Sequence, residues 1–479
     1  MKILWLGTAT VGAVLLAACS SGGSSSKATA TSGGLFSKAP SASASTAASA
    51  APASTAAPSA AASGGAGSSI SGTITYLSHR TDLDKDGTYA KYVAKFNTLY
   101  PNVKVNITSD TNYNADTPTK LASGSYPDVL DIPPGTPLAS LPSYFLPYGS
   151  VEDLSPTYNW TAFSAYQDKV YGLGTFGNIG GVVVNTALWS KAGIDVSSSA
   201  NWPKTPDEFI SDLQKVGAAN PGVTPYYTNY KDGWPTNWNA AVGSVSCSAD
   251  ANNQLANAAA PFSPLPGGSD LDVIYTLEYN IVHDKLSEQD PTTTNWENSK
   301  TLLATGKISA MYLGSWAVPQ MQLAATTANV APAIAIIPFP YQVNGDWCVV
   351  AGPDTNIAVS SKTKYPAAAA AWVEFLVGKA DLAASNNALP VLKSGTFPPG
   401  LAAFQAPNVK IVTLDQTKAT NVSNIDNVSK VGINSQIFPQ AIIDDARGAG
   451  TGSLQSEFAS LNSAWAKAKT QTADGANTH

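Results

Sequence analysis

Residues 180–194, GGVVVNTALWSKAGI, contain a run of branched apolar side chains followed without a break by a helical pattern. Gly180 to Asn185 predicts a buried strand, because a short apolar run bounded by turn residues is typical of a strand covered on both faces. The residues after Asn185 predict a helix. A buried strand that leads directly into a helix is the repeating unit of α/β proteins, so this stretch indicates the fold class.

Strands and helices alternate in the same way before this stretch. Gly72 to Ser78 alternates apolar and polar residues as a strand does, and the residues that follow it place apolar side chains at helical spacing. Residues 102–110 and 129–132 predict two further strands. Strands that alternate with helices indicate a parallel or mostly parallel sheet. Because the pattern continues through most of a chain of 479 residues, two lobes are expected.

The composition of the chain argues against some partners. Of its 479 residues, 44% are hydrophobic and 13% are charged, which is enough apolar sequence for one or two large cores. The formal net charge is −6, and the basic residues form no block. Since phosphate contacts supply most of the affinity for nucleic acid, no nucleic-acid partner is expected.

The N-terminal residues resemble a bacterial lipoprotein signal. Lys2 precedes a short apolar run, and LAAC at residues 16–19 resembles a lipobox. We expect a signal peptide over residues 1–18 and lipid attachment to Cys19; an ordinary secretory signal with a chance cysteine is the alternative. Residues 19–70 are mostly Ser, Ala, Gly, Thr and Pro, which predicts a disordered tether. No later apolar run has the roughly 20 residues that a spanning helix needs.

Two cysteines remain after Cys19, namely Cys247 and Cys348. An even number of cysteines in an exported protein predicts a disulfide, and two independent buried thiols are the alternative. Closing so long a loop would contribute on the order of 4 kcal/mol to stability in the chain-entropy description.

Residues 82–87, DLDKDG, match the opening of a calcium-binding loop. The twelfth position of such a loop requires a bidentate glutamate, but Val93 stands there. The cap and first turn of a helix are therefore favoured over a calcium site. We expect neither a metal nor a cofactor.

Six segments between Gly72 and about Ala388 carry a resemblance to a known family, and they occur in that family's order. They are YVAKFNTLYPNVKV, LASGSYPDVLDI, DKVYGLGTFGNIGGVVVNTALWSKAGI, KTPDEFISDLQKV, LLATGKISAMYLGSW and TNIAVSSKTKYPAAAAAWVEFL. The chain resembles the family 1 extracellular solute-binding proteins, the maltose-binding-protein-like sugar receptors of bacterial ABC importers. The resemblance implies a monomeric lipoprotein on the outer face of the cytoplasmic membrane that delivers a carbohydrate to the ABC permease.

The resemblance also implies a type II periplasmic-binding-protein-like fold, in which two discontinuous α/β lobes enclose a hinged ligand cleft. It places the hinge near residues 185, 314–315 and 352–356. The expected first lobe combines residues 71–184 with 316–352, and the expected second lobe combines residues 185–313 with 357–479.

Aromatic residues at strand ends and in loops are candidate ligand contacts, because sugars expose apolar C–H faces that an indole ring can cover. Trp316 directly follows the expected crossing at 314–315, where the resemblance places an aromatic residue facing the ligand. Trp234 and Trp238 lie in a loop rich in Gly, Pro and Asn, and Trp347 precedes CVVAGP. Packing in a core is the alternative for Trp316, Trp234 and Trp238, and a place that plugs the lobe interface is the alternative for Trp347.

The candidate polar contacts follow strand ends, where the cleft of an α/β protein gathers its ligand-binding loops. Charge-assisted hydrogen bonds suit carboxylates and guanidinium groups to sugar hydroxyls. A solvated turn is the alternative for the residues just after the first strand. The candidates are His79, Arg80, Asp82, Asp131, Asn178 and Tyr227.

The sequence favours binding over catalysis. It contains no G-x-S-x-G or H-E-x-x-H motif, and its only histidines are at positions 79, 283 and 479. A glycoside hydrolase with two carboxylates is the alternative from another class. A solute-binding protein for a polyamine or a peptide is the alternative within the same class. On the binding interpretation, ligand contacts made by both lobes favour a closed form.

Overall fold

The computed structural model describes residues 69–416, 419–433 and 437–476. The predicted signal peptide, the lipidation site at Cys19 and nearly all of the predicted tether lie outside these residues. Within the described residues, two β-sheets each have a large hydrophobic core. We call the parts of the chain that form these sheets and cores the first lobe and the second lobe.

The strands and helices are numbered in chain order. The strands are β1 (Gly72–Ser78), β2 (Val103–Ser109), β3 (Val129–Asp131), β4 (Gly149–Ser150), β5 (Ala165–Tyr166), β6 (Lys169–Val170), β7 (Leu173–Gly174), β8 (Gly177–Asn185), β9 (Ala310–Gly314), β10 (Ile334–Ile337), β11 (Gln342–Val343), β12 (Asp346–Pro353), β13 (Asn356–Val359) and β14 (Val409–Val412). The α-helices are α1 (Thr81–Lys85), α2 (Thr88–Leu99), α3 (Tyr113–Ser123), α4 (Leu141–Tyr144), α5 (Val151–Leu154), α6 (Thr186–Lys191), α7 (Pro206–Ala219), α8 (Val242–Ser246), α9 (Ala251–Asn257), α10 (Leu271–His283), α11 (Trp296–Ala304), α12 (Ala317–Thr327), α13 (Pro366–Gly378), α14 (Leu382–Ser385), α15 (Ala419–Ser429), α16 (Ile437–Ala446) and α17 (Leu454–Ala476).

The first lobe is built on the sheet β2-β1-β3-β13-β7. β1 runs parallel to β2 and β3, whereas β13 runs antiparallel to β3 and β7. Helices α2 and α13 pack on this sheet, and Trp372 of α13 meets Phe96 of α2 edge to face at 5.2 Å. Ala368 to Ala371 of α13 are buried, and their small side chains let this helix lie close to its neighbours.

The second lobe is built around β8, which pairs antiparallel with β9, β10 and β12. β12 also pairs antiparallel with β11 and parallel with β14. Val182, Val183 and Val184 of β8 are buried, as their unbroken apolar run predicts. The prediction of a parallel sheet is correct for β1, β2 and β3 and wrong for β8, because the strands that flank β8 return in the opposite direction.

Gly181 is required by the close pairing of β8 with β10. A Cβ atom at this position would lie 2.3 Å from the carbonyl oxygen of Ile337, well inside van der Waals contact. The second glycine of GGVVVN therefore lets the backbone of β10 approach β8.

The chain passes between the lobes three times, near residues 175–176, 354–355 and 386–388. Backbone hydrogen bonds join these crossings side by side. The bonds run from Thr175 N to Thr355 O (3.0 Å), from Asp354 N to Phe176 O (2.8 Å), from Gly177 N to Leu389 O (2.7 Å) and from Leu389 N to Gly177 O (2.8 Å).

The crossings correct the expected lobe boundaries. Residues 316–352 belong to the second lobe and not to the first, because β10 and β12 within them pair with β8. Residues 357–388 belong to the first lobe and not to the second, because β13 pairs with β3 and α13 packs against both β13 and β1. The sequence pattern of these strands does not reveal which sheet they join.

Two of the three expected hinge positions are also wrong. Asn185 lies inside the second lobe, where its Oδ1 caps α6 by accepting hydrogen bonds from the backbone of Ala187 (3.1 Å) and Leu188 (3.2 Å). Gly314 pairs with Gly180 within the second sheet. The expected hinge at 352–356 does contain a crossing.

The structure joins Cys247 and Cys348 in a disulfide, with 5.1 Å between their Cα atoms. Cys247 ends α8 and Cys348 lies on β12, so the bond ties a helix of the second lobe to its sheet.

The calcium-loop pattern at 82–87 lies in a helical region. Residues 81–85 form α1, and Gly87 precedes α2 with a left-handed backbone conformation. Among the described residues, no group of three or more His, Cys, Asp or Glu side chains is placed to hold a metal ion. The same described residues include no helix that is both long and apolar enough to cross a membrane.

Glu278 is an unusual member of the second core. This residue of α10 is 1% exposed, and neither of its carboxylate oxygens has a hydrogen-bond partner among the described residues. Burial raises the pKa of Glu278 well above its ordinary value of 4.5, and the nearby Glu288 carboxylate raises it further.

Substitution Glu278→Gln is expected to stabilise the protein above pH 4.5. The unfolded chain ionises Glu278 near that pH, whereas the folded protein keeps the carboxyl group neutral, so stability falls as pH rises through 4.5. A neutral amide removes this loss, and the variant should gain about 1 kcal/mol or more at pH 7. Urea denaturation at pH 4 and 7 measures the gain. Glu297→Gln, at an exposed site, is the control, and an equal gain at both pH values would contradict the explanation.

Candidate functional site

Three tryptophans form an aromatic wall on the second lobe. The rings of Trp234 and Trp316 lie 5.9 Å apart, and Trp296 lies 5.1 Å from Trp234 and 5.5 Å from Trp316. Trp234 is 42% exposed, and the other two rings are half-buried. The ring planes are tilted by 44° to 73° against one another, so each partly exposed indole can offer its own apolar face to a ligand.

The position of Trp316 follows from the end of β9. The strand finishes at Gly314, the buried Ser315 donates its N–H to Ile179 O (2.9 Å), and Trp316 stands at the start of α12. The indole folds back over Gly314, since a Cβ atom at Gly314 would lie 2.4 Å from Trp316 Nε1. The missing side chain at Gly314, two residues before Trp316, therefore makes room for the indole ring.

A cavity of about 360 Å³ adjoins this wall. Its volume is at the lower end of the range usual for small-molecule sites. Trp234 and Trp316 border it on the aromatic side, and residues from β8, β9 and the end of β12 complete it. The lining residues are Asn178, Ile179, Gly180, Trp234, Pro235, Asn237, Tyr312, Leu313, Gly314, Trp316, Val350, Gly352, Pro353 and Asp354.

A chain of polar contacts links the cavity to the first lobe. Ser315 Oγ donates to Asn178 Oδ1 (3.1 Å), and Asn178 Nδ2 donates to Asp354 Oδ1 (2.8 Å). Asp354 Oδ2 lies 3.6 Å from His79 Nε2, and His79 Nδ1 lies 2.8 Å from Asp131 Oδ2. The contacts therefore run from the residue before Trp316, through the second crossing, to the carboxyl ends of β1 and β3.

Asp131 holds the first-lobe end of this chain. Its carboxylate is 1% exposed and accepts hydrogen bonds from Tyr76 Oη (3.1 Å), Ser78 Oγ (3.2 Å) and the backbone N–H of His79 (3.2 Å). Its backbone carbonyl accepts a further bond from Tyr113 Oη. The end of β3 therefore positions a charged acceptor beside the imidazole.

His79 carries a positive charge at neutral pH. Its side chain is 28% exposed, and burial by itself lowers the pKa, but the carboxylates of Asp131 and Asp354 outweigh burial and raise the pKa of His79 to about 10. The imidazolium therefore lies between two carboxylates, one on each side.

This charge predicts a pH dependence of stability. The folded pKa of about 10 exceeds the ordinary value of 6.5, so the stabilisation is complete below pH 6.5 and is lost as pH rises towards 10. After allowance for partial exposure, we expect a loss of about 2 kcal/mol over that range. Urea denaturation of wild type and His79→Gln should give curves that converge at high pH. His283→Gln, at an exposed histidine, is the control; parallel curves for wild type and His79→Gln would contradict the charge assignment.

Arg80 and Asp82 lie beside the crossings and not on the cavity wall. Arg80 donates from Nε and Nη2 to the two carboxylate oxygens of Asp82 (2.8 and 2.6 Å), and Nη2 also donates to Asn386 Oδ1 (2.9 Å). Its guanidinium carbon lies 5.7 Å from the ring centre of Phe176. Burial opposes the charge of Arg80, but the Asp82 carboxylate raises its pKa and keeps it protonated. The pair therefore contacts the first and third crossings.

The structure corrects the expectation for three aromatic candidates. Trp238 is 2% exposed and packs on Tyr312 at 5.2 Å, and Trp347 is 1% exposed and packs on Trp202 at 5.5 Å. Tyr227 is 7% exposed and belongs to the same core. None of the three is among the described residues that line the cavity. These side chains anchor the second lobe, and core packing is the alternative that the sequence left open for Trp238.

Sequence reasoning missed Trp296, Ser315 and Asp354 as members of the site. Asp354 follows a Gly-Pro pair at the end of β12, and a polar residue directly after a buried strand is a signal that could have found it. Trp296 begins α11 and reaches the wall only through the fold, so no local signal marks it.

The sequence of the chain matches a known protein family and a relative of known name. Residues 81–383, more than half of the chain, match the family described as bacterial extracellular solute-binding proteins. The multiple sugar-binding protein of Streptococcus mutans is 25% identical over 317 residues, which cover 64% of this chain and 70% of that protein.

Solved structures agree with this match. A manno-oligosaccharide-specific solute-binding protein from Bifidobacterium animalis, in complex with mannotriose, aligns with a TM-score of 0.76 and 26% identity over 85% of this chain and 97% of its own. RafE from Streptococcus pneumoniae aligns with a TM-score of 0.61 and 19% identity over 84% of this chain and 99% of its own, which supports the fold alone. The two-lobe α/β fold is thereby confirmed, and the chain belongs to the family of bacterial extracellular solute-binding proteins.

Proposed function

We propose that the chain is the substrate-binding lipoprotein of an ABC importer and that it captures a carbohydrate, in particular an oligosaccharide, in the cavity between Trp316 and Asp354. The observation that carries the proposal is a wall of partly exposed indoles facing a polar end with a carboxylate. Indole faces cover the C–H faces of a sugar ring, and a carboxylate accepts bonds from its hydroxyls. The names of the relatives, a multiple sugar-binding protein and a manno-oligosaccharide-specific one, support the same ligand class.

The proposed mechanism is closure of the two lobes on the ligand. A ligand that contacts both lobes favours the closed form over the open one, and the membrane permease would then recognise the closed form. The three hydrogen-bonded crossings are the segments about which the lobes would move. In this role the protein acts as a monomeric receptor. It binds its ligand and does not transform it, which the description of its family as solute-binding proteins supports.

The test is a ligand panel read by thermal shift and by product analysis. Mannobiose, mannotriose, raffinose and maltotriose represent neutral oligosaccharides, and spermidine and a tripeptide represent the other ligand classes. A ligand at 100 times its dissociation constant stabilises by about 2.7 kcal/mol, so a matching sugar should raise the melting temperature and remain intact. If only spermidine or only the peptide raises the melting temperature, the ligand is a polyamine or a peptide and not a sugar. Release of sugar fragments would indicate a hydrolase.

The lipid anchor at Cys19 is part of the proposal and has a separate test. Substitution Cys19→Ser removes the only thiol in the lipobox-like segment, so the protein should move from the membrane fraction to the medium. Cell fractionation with immunoblotting measures the distribution. Ser20→Ala is the control for a change at the adjacent position, and a Cys19→Ser variant that stays with the membrane would contradict the anchor.

A further inference from the structure

The polar end of the cavity carries an excess of negative charge. Asp131 and Asp354 are two carboxylates that share one imidazolium, that of His79. The nearby Arg80 does not offset this excess, because its guanidinium is paired with Asp82 through two hydrogen bonds. Asp354 is the acidic residue among the described residues that line the cavity; its side chain is 15% exposed, and it lies farther from the imidazolium (3.6 Å) than Asp131 does (2.8 Å).

In the described part of the chain, the cation that lies against an indole of the wall is already paired. Lys300 lies 4.9 Å above the ring of Trp296, but its ammonium group is bonded to Glu297 at 2.9 Å. The carboxylate of Asp232 accepts the backbone N–H of Trp296 and adds a negative charge beside the wall. Among the described residues that line the cavity, none is lysine or arginine.

We infer that this cavity accepts uncharged sugars and excludes acidic ones, and that Asp354 sets this selectivity; the inference rests on the proposed function and adds the charge class of the ligand. A sugar hydroxyl can donate a hydrogen bond to a carboxylate, whereas a ligand carboxylate can only accept. A uronic acid in the cavity would therefore meet Asp354 as a like charge at reduced dielectric, and the described residues that line the cavity include no lysine or arginine to pair with the ligand carboxylate.

The first experiment measures the charge of the cavity without a ligand. Iodide and caesium quench exposed tryptophans, and Trp234 is 42% exposed at the cavity while Trp189, Trp202, Trp238 and Trp347 are buried. The Trp234 signal is the difference between the full chain and its Trp234→Phe variant, normalised to N-acetyltryptophanamide. At low ionic strength we expect the normalised quenching constant of Trp234 to be about twofold or more higher for caesium than for iodide. Equal normalised quenching by the two ions would overturn the inference.

Two isosteric variants assign that charge to Asp354. Asp354→Asn should reduce the preference for caesium, whereas Asp346→Asn should leave it nearly unchanged. Asp346 is the first residue of β12, about 25 Å along the strand from Asp354, which follows its last residue, and it is paired with Lys410. Asp346→Asn therefore controls for the loss of one negative charge from the protein. Equal effects of the two variants would show that the net charge of the protein, and not Asp354, repels iodide.

The second experiment measures ligand selectivity by calorimetry with mannotriose and with mannotriose oxidised to a uronic acid at its terminal primary hydroxyl. The wild type should bind the acid at least about tenfold more weakly than mannotriose. Asp354→Asn should reduce this ratio of dissociation constants about threefold or more, whereas Asp346→Asn should leave the ratio nearly unchanged. Equal or tighter binding of the acid by the wild type would overturn the inference. If neither compound binds, the manno-oligosaccharide form of the proposed function fails, while the quenching experiment still decides the charge of the cavity.

Discussion

Substitution Trp316→Ala is expected to weaken oligosaccharide binding at least tenfold. The indole of Trp316 borders the cavity, lies over Gly314 and contacts both Trp234 and Trp296. Its removal takes away the stacking surface and leaves the other two rings less firmly held. A tenfold loss corresponds to about 1.4 kcal/mol, which is modest for an aromatic side chain at a binding site.

Isothermal titration calorimetry measures the effect of Trp316→Ala with the sugar that gives the largest thermal shift in the panel. Leu323→Ala is the matched control, because Leu323 lies on the same helix, α12, and is 68% exposed. If Trp316→Ala binds the sugar with wild-type affinity but has a lower melting temperature, Trp316 has a structural role and does not contact the ligand.

Substitution Asp131→Asn is expected to reduce the free energy of unfolding by about 3 kcal/mol. The buried carboxylate of Asp131 bonds to Tyr76, Ser78 and His79, and an amide cannot accept all of these bonds. The variant also leaves His79 with only the more distant carboxylate of Asp354 to offset its charge. Because the positive charge of His79 then loses its nearest partner, the pKa of His79 should fall as well.

Urea denaturation at pH 7 measures the loss for Asp131→Asn. Asp381→Asn is the control, since Asp381 is 75% exposed and paired with Lys95, and a surface pair of this kind contributes less than about 1 kcal/mol. Similar losses for the two variants would contradict the role given to the buried carboxylate.

The sequence predicts where individual strands and helices lie better than it predicts which strands pair with one another. The apolar run Val182 to Val184 marks β8 as buried, and Thr205 caps α7 as its position suggests. The strands that pair with β8 come from residues 310–353, more than 120 positions later, and nothing in their pattern specifies antiparallel pairing. The lobe boundaries were misplaced for the same reason.

The site shows the same division between local and tertiary information. Trp234 and Trp238 share one loop and one composition, yet Trp234 is 42% exposed at the cavity and Trp238 is 2% exposed in the core. Three residues separate the two rings, and a short 3-10 helix over Trp234–Thr236 precedes Trp238, whose ring packs inward against Tyr312. The sequence could nominate both rings as candidates, but only the packing of the lobe distinguishes them.

The most direct test of the central claim is a crystal structure of the full chain with the oligosaccharide that stabilises it most. We expect density for a sugar ring against the indole of Trp316 or Trp234, with a hydroxyl within hydrogen-bond distance of Asn178 or Asp354, and the two lobes closed on it. A sugar bound elsewhere on the protein, with the wall of Trp234, Trp296 and Trp316 left uncovered, would contradict it.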